Sequence, residues 1–252
     1  MQNHLQLPSP MNFLRTCLLV SFALILFSAP PAYAEAPNQQ MTIGANAHST
    51  HPPSTMKNAI IGVLILTSMI SLFLIVERSL VLRHGAVIPS RLIDLQGTCS
   101  TQDEILSLRI TANETRSPYG RLISCAIDHL HLSRDENMEL LQTRARAEIS
   151  KMERGIVILE IITGIAPLLG LVGTIFGLIT LFQGMGVKAT AEQTALFSEG
   201  ISIALKATLL GLVVAIPSLI GWSYFNRKVE TLSIEMENLC DQFLRSQYLR
   251  VD

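Results

Sequence analysis

Charge is scarce in this chain of 252 residues. Asp, Glu, Lys and Arg make up 15% of it, against about 25% in an ordinary water-soluble domain. The net formal charge is only −1. Without a surplus of basic residues to neutralise phosphates, a nucleic-acid partner is not expected. Cysteine is sparse too. Cys17 falls in an N-terminal apolar run, and Cys99, Cys125 and Cys240 are far apart with no metal-ligand spacing. They are expected to stay reduced, and no metal site is expected. Catalytic signatures are missing as well. There is no nucleophile motif, no glycine-rich loop ahead of a lysine, and no His–Glu metal helix. An enzyme is therefore not expected, nor a cofactor.

What the chain does have is apolar residues, 49% of it, gathered into long blocks. That arrangement points to a membrane protein. The N-terminus reads as a secretory signal. Arg15 precedes an apolar run over 17–27, and Ala32, Tyr33 and Ala34 supply small residues at a cleavage site. Residues 1–34 are assigned to this signal, with Met11 as an alternative start. Residues 35–56 form a polar leader containing His48 and His51, read as flexible and solvated.

Three later segments are long enough to cross a bilayer, at about 59–76, 156–182 and 201–224, the last two joined by a stretch over 184–198 read as a short polar connection. Between the first two, residues 83–154 are polar and helical in pattern. Ser117 followed by Pro118 can open one helix, and Ser133 with Glu136 fits a capping box opening another. From there Met138, Leu141, Ala145, Ile149 and Met152 form one apolar stripe leading into the second span. Beyond the third span, Val229, Leu232, Met236, Leu239 and Phe243 continue the same spacing through the tail, 225–252. The expected fold is thus all-α, with three transmembrane helices and extended cytoplasmic helices. Arg78, Arg83, Arg91, Lys151, Arg154, Arg227 and Lys228 flank one side of the spans, whereas only Lys57 and Lys188 flank the other. The positive-inside rule then places the N-terminus in the periplasm and the C-terminus in the cytoplasm.

The second and third spans are built from small residues. In lipid, helices associate by close backbone approach, which needs Gly, Ala, Ser and Thr on one face. At 100° per residue, Gly200, Ala204, Ala207, Thr208, Gly211, Ala215 and Ser218 share an arc of the third span, opposite Leu209, Val213 and Ile216. On the second, Gly170, Gly173, Thr174 and Gly177 do the same. Two readings of Thr174 and Thr208 stay open. Each hydroxyl can bond its own backbone one turn back and assist packing, or it can line an ion path, where a hydroxyl both donates and accepts. Pro167 and Pro217 remove a backbone donor inside each span and are expected to bend it. Lys206 is a charge within a span. Near the outer end it can snorkel, or it can modulate a pathway.

These stretches resemble the MotA/TolQ/ExbB proton-channel family, most closely its ExbB and TolQ branch. The resemblance rests on Ala166, Pro167, Leu168, Leu169, Gly170, Leu171, Val172, Gly173 and Thr174. It rests equally on Gly200, Ile201, Ser202, Ala204, Leu205, Ala207, Thr208, Gly211, Leu212, Ala215, Ile216 and Pro217. Val76, Glu77 and Arg78 match, as do Arg116, Ser117 and Pro118. It covers residues 57–252. The resemblance implies an inner-membrane homopentamer around single-span partners similar to ExbD or TolR. It also implies proton movement past Thr174 and Thr208, with work delivered to a TonB- or TolA-like protein. One position departs from the family. A glutamate is common there five residues before the third-span threonine, and here it is Ile203. A non-conducting scaffold for a single-span partner is therefore the alternative reading. A solute carrier is a poorer fit, because no repeat-related spans with a midplane polar site are visible.

Overall fold

The computed structural model describes residues 54–99, 101–183 and 191–249. The signal assigned to 1–34 and most of the leader lie outside the described residues. Among the described residues seven helices follow one another: α1 (Ser54–Val81), α2 (His84–Val87), α3 (Ser90–Thr98), α4 (Gln102–Thr115), α5 (Pro118–Asp128), α6 (Arg134–Gln183) and α7 (Ala191–Tyr248). Among the described residues there is no strand.

Three of these helices, α1, α6 and α7, are long and apolar enough to cross a membrane. Each helix outruns its apolar segment. α1 continues through Glu77 and Arg78 to Val81. α6 joins the charged helix and the second span into 50 residues without a break, a contour of about 75 Å at 1.5 Å per residue. α7 covers 58 residues and begins at Ala191, inside the stretch 184–198 read as a polar connection. Ala191, Glu192, Gln193, Ala195 and Leu196 are strong helix formers, and local propensity there outweighs polarity. Helix assignment also runs unbroken through Pro167 and Pro217.

The chain divides into two compact units. The first holds the described residues up to Phe73 together with Glu160–Leu219. Its surface is strongly apolar: Ile65, Phe73, Leu168, Phe182 and Leu205 are each about 60% exposed or more. Such a surface is costly in water and natural in lipid. Its buried positions include many small or polar residues, Ser71, Ala166, Ala204, Ala207, Ala215 and Ser218, beside the larger Leu64, Ile162, Leu181 and Val214.

The second unit holds Leu74–Leu159 and the described residues from Ile220 onward. It has an ordinary core of large side chains, among them Leu82, Ile88, Leu92, Tyr119, Leu122, Phe225 and Phe243. The apolar stripes on α6 and α7 turn inward here, with Leu141, Ala145, Met152, Val229, Leu232 and Met236 all buried.

The short helices are defined by their ends. Thr101 and Glu104 form a capping box on α4, and Ser133 and Glu136 exchange bonds at the start of α6. Arg116 ends α4 in the left-handed region, at φ 49°. Ser117 is then extended, as the residue before a proline must be. Its hydroxyl caps α5 by accepting from the Gly120 N–H at 3.0 Å. Arg116, Ser117 and Pro118 are therefore a helix-to-helix corner. Within the second unit the Tyr119 hydroxyl donates to Gln96, whose amide donates to the Leu239 carbonyl at 2.9 Å.

Candidate functional site

The candidate site lies in the first unit, where α6 and α7 approach closely. A methyl group built on Gly211 would lie 2.7 Å from the Ala166 carbonyl oxygen and 3.1 Å from Gly170 Cα. One built on Gly170 would lie 2.9 Å from the Ala207 carbonyl oxygen and 3.1 Å from Thr208 Cα. All of these neighbours are backbone atoms and cannot rotate away. Towards the other end of α6 the contact continues through alanines. A methyl on Gly173 would lie 2.6 Å from Ala207 Cβ, and one on Gly177 would lie 3.0 Å from Ala204 Cβ. Gly200 faces Leu181. The seam thus steps along α6 at 170, 173 and 177 and along α7 at 211, 207 and 204. That is the three- and four-residue rhythm of antiparallel helices in contact along one face.

The third helix of this unit is tied on by a polar contact. Ser71 and Ser218, both buried, share a hydrogen bond of 2.6 Å between α1 and α7, and Ser218 also donates to the Val214 carbonyl at 2.7 Å. In a lipid-facing bundle such a bond satisfies two hydroxyls that would otherwise lose solvation.

The candidate residues fall into three environments. Gly170, Gly173, Gly177, Ala204 and Gly211 meet across the α6–α7 seam, and Ala215 is buried further along the same α7 face. Thr208 is half-buried and has its backbone in the seam. Thr174 is also half-buried, and its hydroxyl donates to the Leu171 carbonyl at 2.7 Å, three residues back on its own helix. A hydroxyl so engaged keeps its oxygen lone pairs free to accept one further proton donor. Lys206 is exposed, beside the exposed Leu205, off the seam. The side chain of Ile203 lies outside the described residues.

Two arrangements in the second unit were not anticipated from sequence. Glu148 is fully buried and is held by Arg121 at 2.5 Å and Lys151 at 2.9 Å. Burial opposes its charge, but the hydrogen bonds and charges of these two partners prevail and hold the carboxyl below the usual carboxylate range. The only sequence signal was a carboxylate between Ala145 and Met152, close to the buried stripe of α6. The second arrangement joins Arg78 to Gly155. The Arg78 guanidinium lies against α6 and donates to the Met152 carbonyl at 3.2 Å. A methyl on Gly155 would overlap Arg78 Nε and fall 2.6 Å from its Cζ.

A model of the MotA/TolQ/ExbB proton channel family matches residues 114–238. That span includes α5 and α6 entire and α7 as far as Asn238. The chain is 35% identical over 115 residues to a putative biopolymer transport protein ExbB homolog of Methanothermobacter thermautotrophicus, covering 46% of this chain and 40% of that protein. It is 42% identical over 82 residues to the biopolymer transport protein ExbB of Helicobacter pylori, covering 32% and 56%. Against the ExbB of Aquifex aeolicus the identity is 34% over 104 residues, covering 41% of this chain and 69% of the relative. The chain therefore spans little more than half, or less, of the first two of these relatives.

Proposed function

Since the chain belongs to the MotA/TolQ/ExbB proton channel family, on its ExbB-like side, we propose that it is a polytopic subunit of an energy-transducing complex in the bacterial inner membrane. It couples the proton motive force to work across the envelope and catalyses no covalent chemistry. In this reading five copies surround single-span partners of the ExbD or TolR type. A TonB- or TolA-like protein receives the work, and the N-terminus is periplasmic while the C-terminus is cytoplasmic.

The observation that carries the proposal is the α6–α7 seam. Its backbone contact positions Thr208 and leaves Thr174 one turn from Gly170. Helices this close form a rigid wall with threonines on or beside its face. A partner carboxylate moving past such a wall is costly when charged and tolerable when protonated. Proton binding therefore biases which orientation of the partner is populated. The threonine hydroxyls supply donor and acceptor positions along that path.

The test is proton flux into vesicles carrying the protein with its single-span partner, compared with Thr174→Val and Thr208→Val. Each substitution keeps shape and removes the hydroxyl. Flux should fall while assembly is retained. Unchanged flux in both assembled variants rejects conduction along these threonines. The scaffold reading has one observation in its favour, the apolar Ile203 at a position where the family commonly has a carboxylate. It requires zero flux in the unsubstituted complex.

A further inference from the structure

The second unit contains a cavity of about 390 Å³ whose wall includes Arg78, Arg121, Lys151 and Glu148. Three cations there face one carboxylate. Glu148 is already shared between Arg121 and Lys151, and Arg144 approaches it at 4.0 Å from outside the wall. The other nearby anion, Glu77, lies 3.6 Å from Arg78 and is not part of the wall. The wall keeps a positive surplus.

Its donors are also incompletely used. Arg78 Nε and Arg121 Nε are buried and have no hydrogen-bond partner among the described residues. Buried guanidinium N–H groups without acceptors are expensive, and folded proteins rarely keep two in one place without a use. Gly155 makes the arrangement possible, because any side chain there would push the Arg78 guanidinium off α6. The site therefore has a seated guanidinium, a second from α5 and an ammonium from α6, all on one cavity.

Its place along the chain narrows the ligand. Arg78 lies near the end of the span-length stretch Ala59–Val81, and Lys151 lies five residues before Ile156, where the apolar run of α6 begins. Basic residues at span ends lie at the level of lipid headgroups. Guanidinium forks match the paired oxygens of a phosphate. We infer that this cavity is a binding site for a phosphate-type oxyanion, offered either by the headgroup of an anionic phospholipid or by a free phosphate. The inference does not depend on proton conduction.

The experiment uses the full-length protein in detergent, with binding read by native mass spectrometry and calorimetry. The probes are phosphatidylglycerol, phosphatidylcholine and inorganic phosphate. Saturable retention of phosphatidylglycerol over phosphatidylcholine is expected, and phosphate competes if the small anion suffices. Lys151→Gln should weaken binding about five- to ten-fold, the loss of one charge-assisted contact. Gly155→Ala keeps every charge but displaces Arg78, and should weaken binding comparably. Arg91→Gln, an exposed cation away from the cavity wall, should change nothing. Binding of phosphatidylglycerol alone identifies the lipid source, and phosphate binding with competition identifies the soluble one. The inference is overturned if neither probe is retained above phosphatidylcholine. It is equally overturned if Lys151→Gln, with an unaltered melting temperature, binds as the unsubstituted protein does.

Discussion

Replacing Gly211 by alanine adds one methyl group where the α6–α7 seam meets backbone atoms of the facing helix. Its nearest neighbour, the Ala166 carbonyl oxygen, would be 2.7 Å away, whereas comfortable contact begins near 3.5 Å. The deficit is about 0.8 Å, and both sides are backbone, so the helices must separate. A gap of that size forfeits roughly a quarter to a half of each dispersion contact it opens. The same separation loosens Gly173 against Ala207 and Gly177 against Ala204. The expected cost is about 1–3 kcal/mol, the range for overpacking a close-packed contact. Gly164→Ala is the internal control. It lies on α6, the partner helix of the seam, but a methyl there meets nothing within 4 Å. Its effect should lie between neutral and about 1 kcal/mol stabilising, from helix propensity. Unfolding in mixed micelles can be followed through the single tryptophan, Trp222 on α7. The double variant Gly170→Ala/Gly211→Ala should cost less than the sum of its parts, since the first methyl already opens the space the second needs. Equal midpoints for Gly211→Ala and Gly164→Ala would refute the seam as the contact that holds α6 to α7.

Two further outcomes follow from the second unit. The folded Glu148 carboxyl titrates below the ordinary range because Arg121 and Lys151 outweigh its burial, so its stabilising contribution is full above the unfolded carboxylate value, about pH 4, and is lost as pH falls through the lower folded value. Glu148→Gln should cost about 1–3 kcal/mol near neutrality, less than a fully buried pair because both cations are partly exposed, and its melting temperature should fall less steeply in acid; parallel acid curves would contradict the assignment. Cys240 is buried, and burial, the charge of Glu237 and the nearby Cys125 push its thiol up to about 12. At pH 8 iodoacetamide should therefore modify Cys125 well before Cys240, with the difference vanishing in denaturant; equal rates in the folded protein would exclude a sequestered Cys240.

Much of the architecture was legible because it depends on local pattern. The spans follow from apolar run length, which any bilayer-crossing helix must satisfy. The start of α5 followed from Ser117 and Pro118, and that of α6 from Ser133 and Glu136, since caps act on groups within one turn. Helix ends inside polar stretches were harder to place. Ala191 opens α7 where polarity suggested a connection, because polarity alone does not separate a loop from a solvated helix.

By itself the sequence determined that this is a helical membrane protein of one family, and which residues of the third span share a face, for these depend on composition and on 100° per residue. Only the tertiary structure decided which atoms meet. It set Gly211 against the Ala166 carbonyl, Ser71 against Ser218, Glu148 between Arg121 and Lys151, and Gly155 beneath Arg78. Ser71 and Ser218 are 147 residues apart, and Arg78 lies 74 residues from Met152. Helical periodicity orders a face along one segment and is silent on its partner, because the register between distant helices depends on the shapes of both.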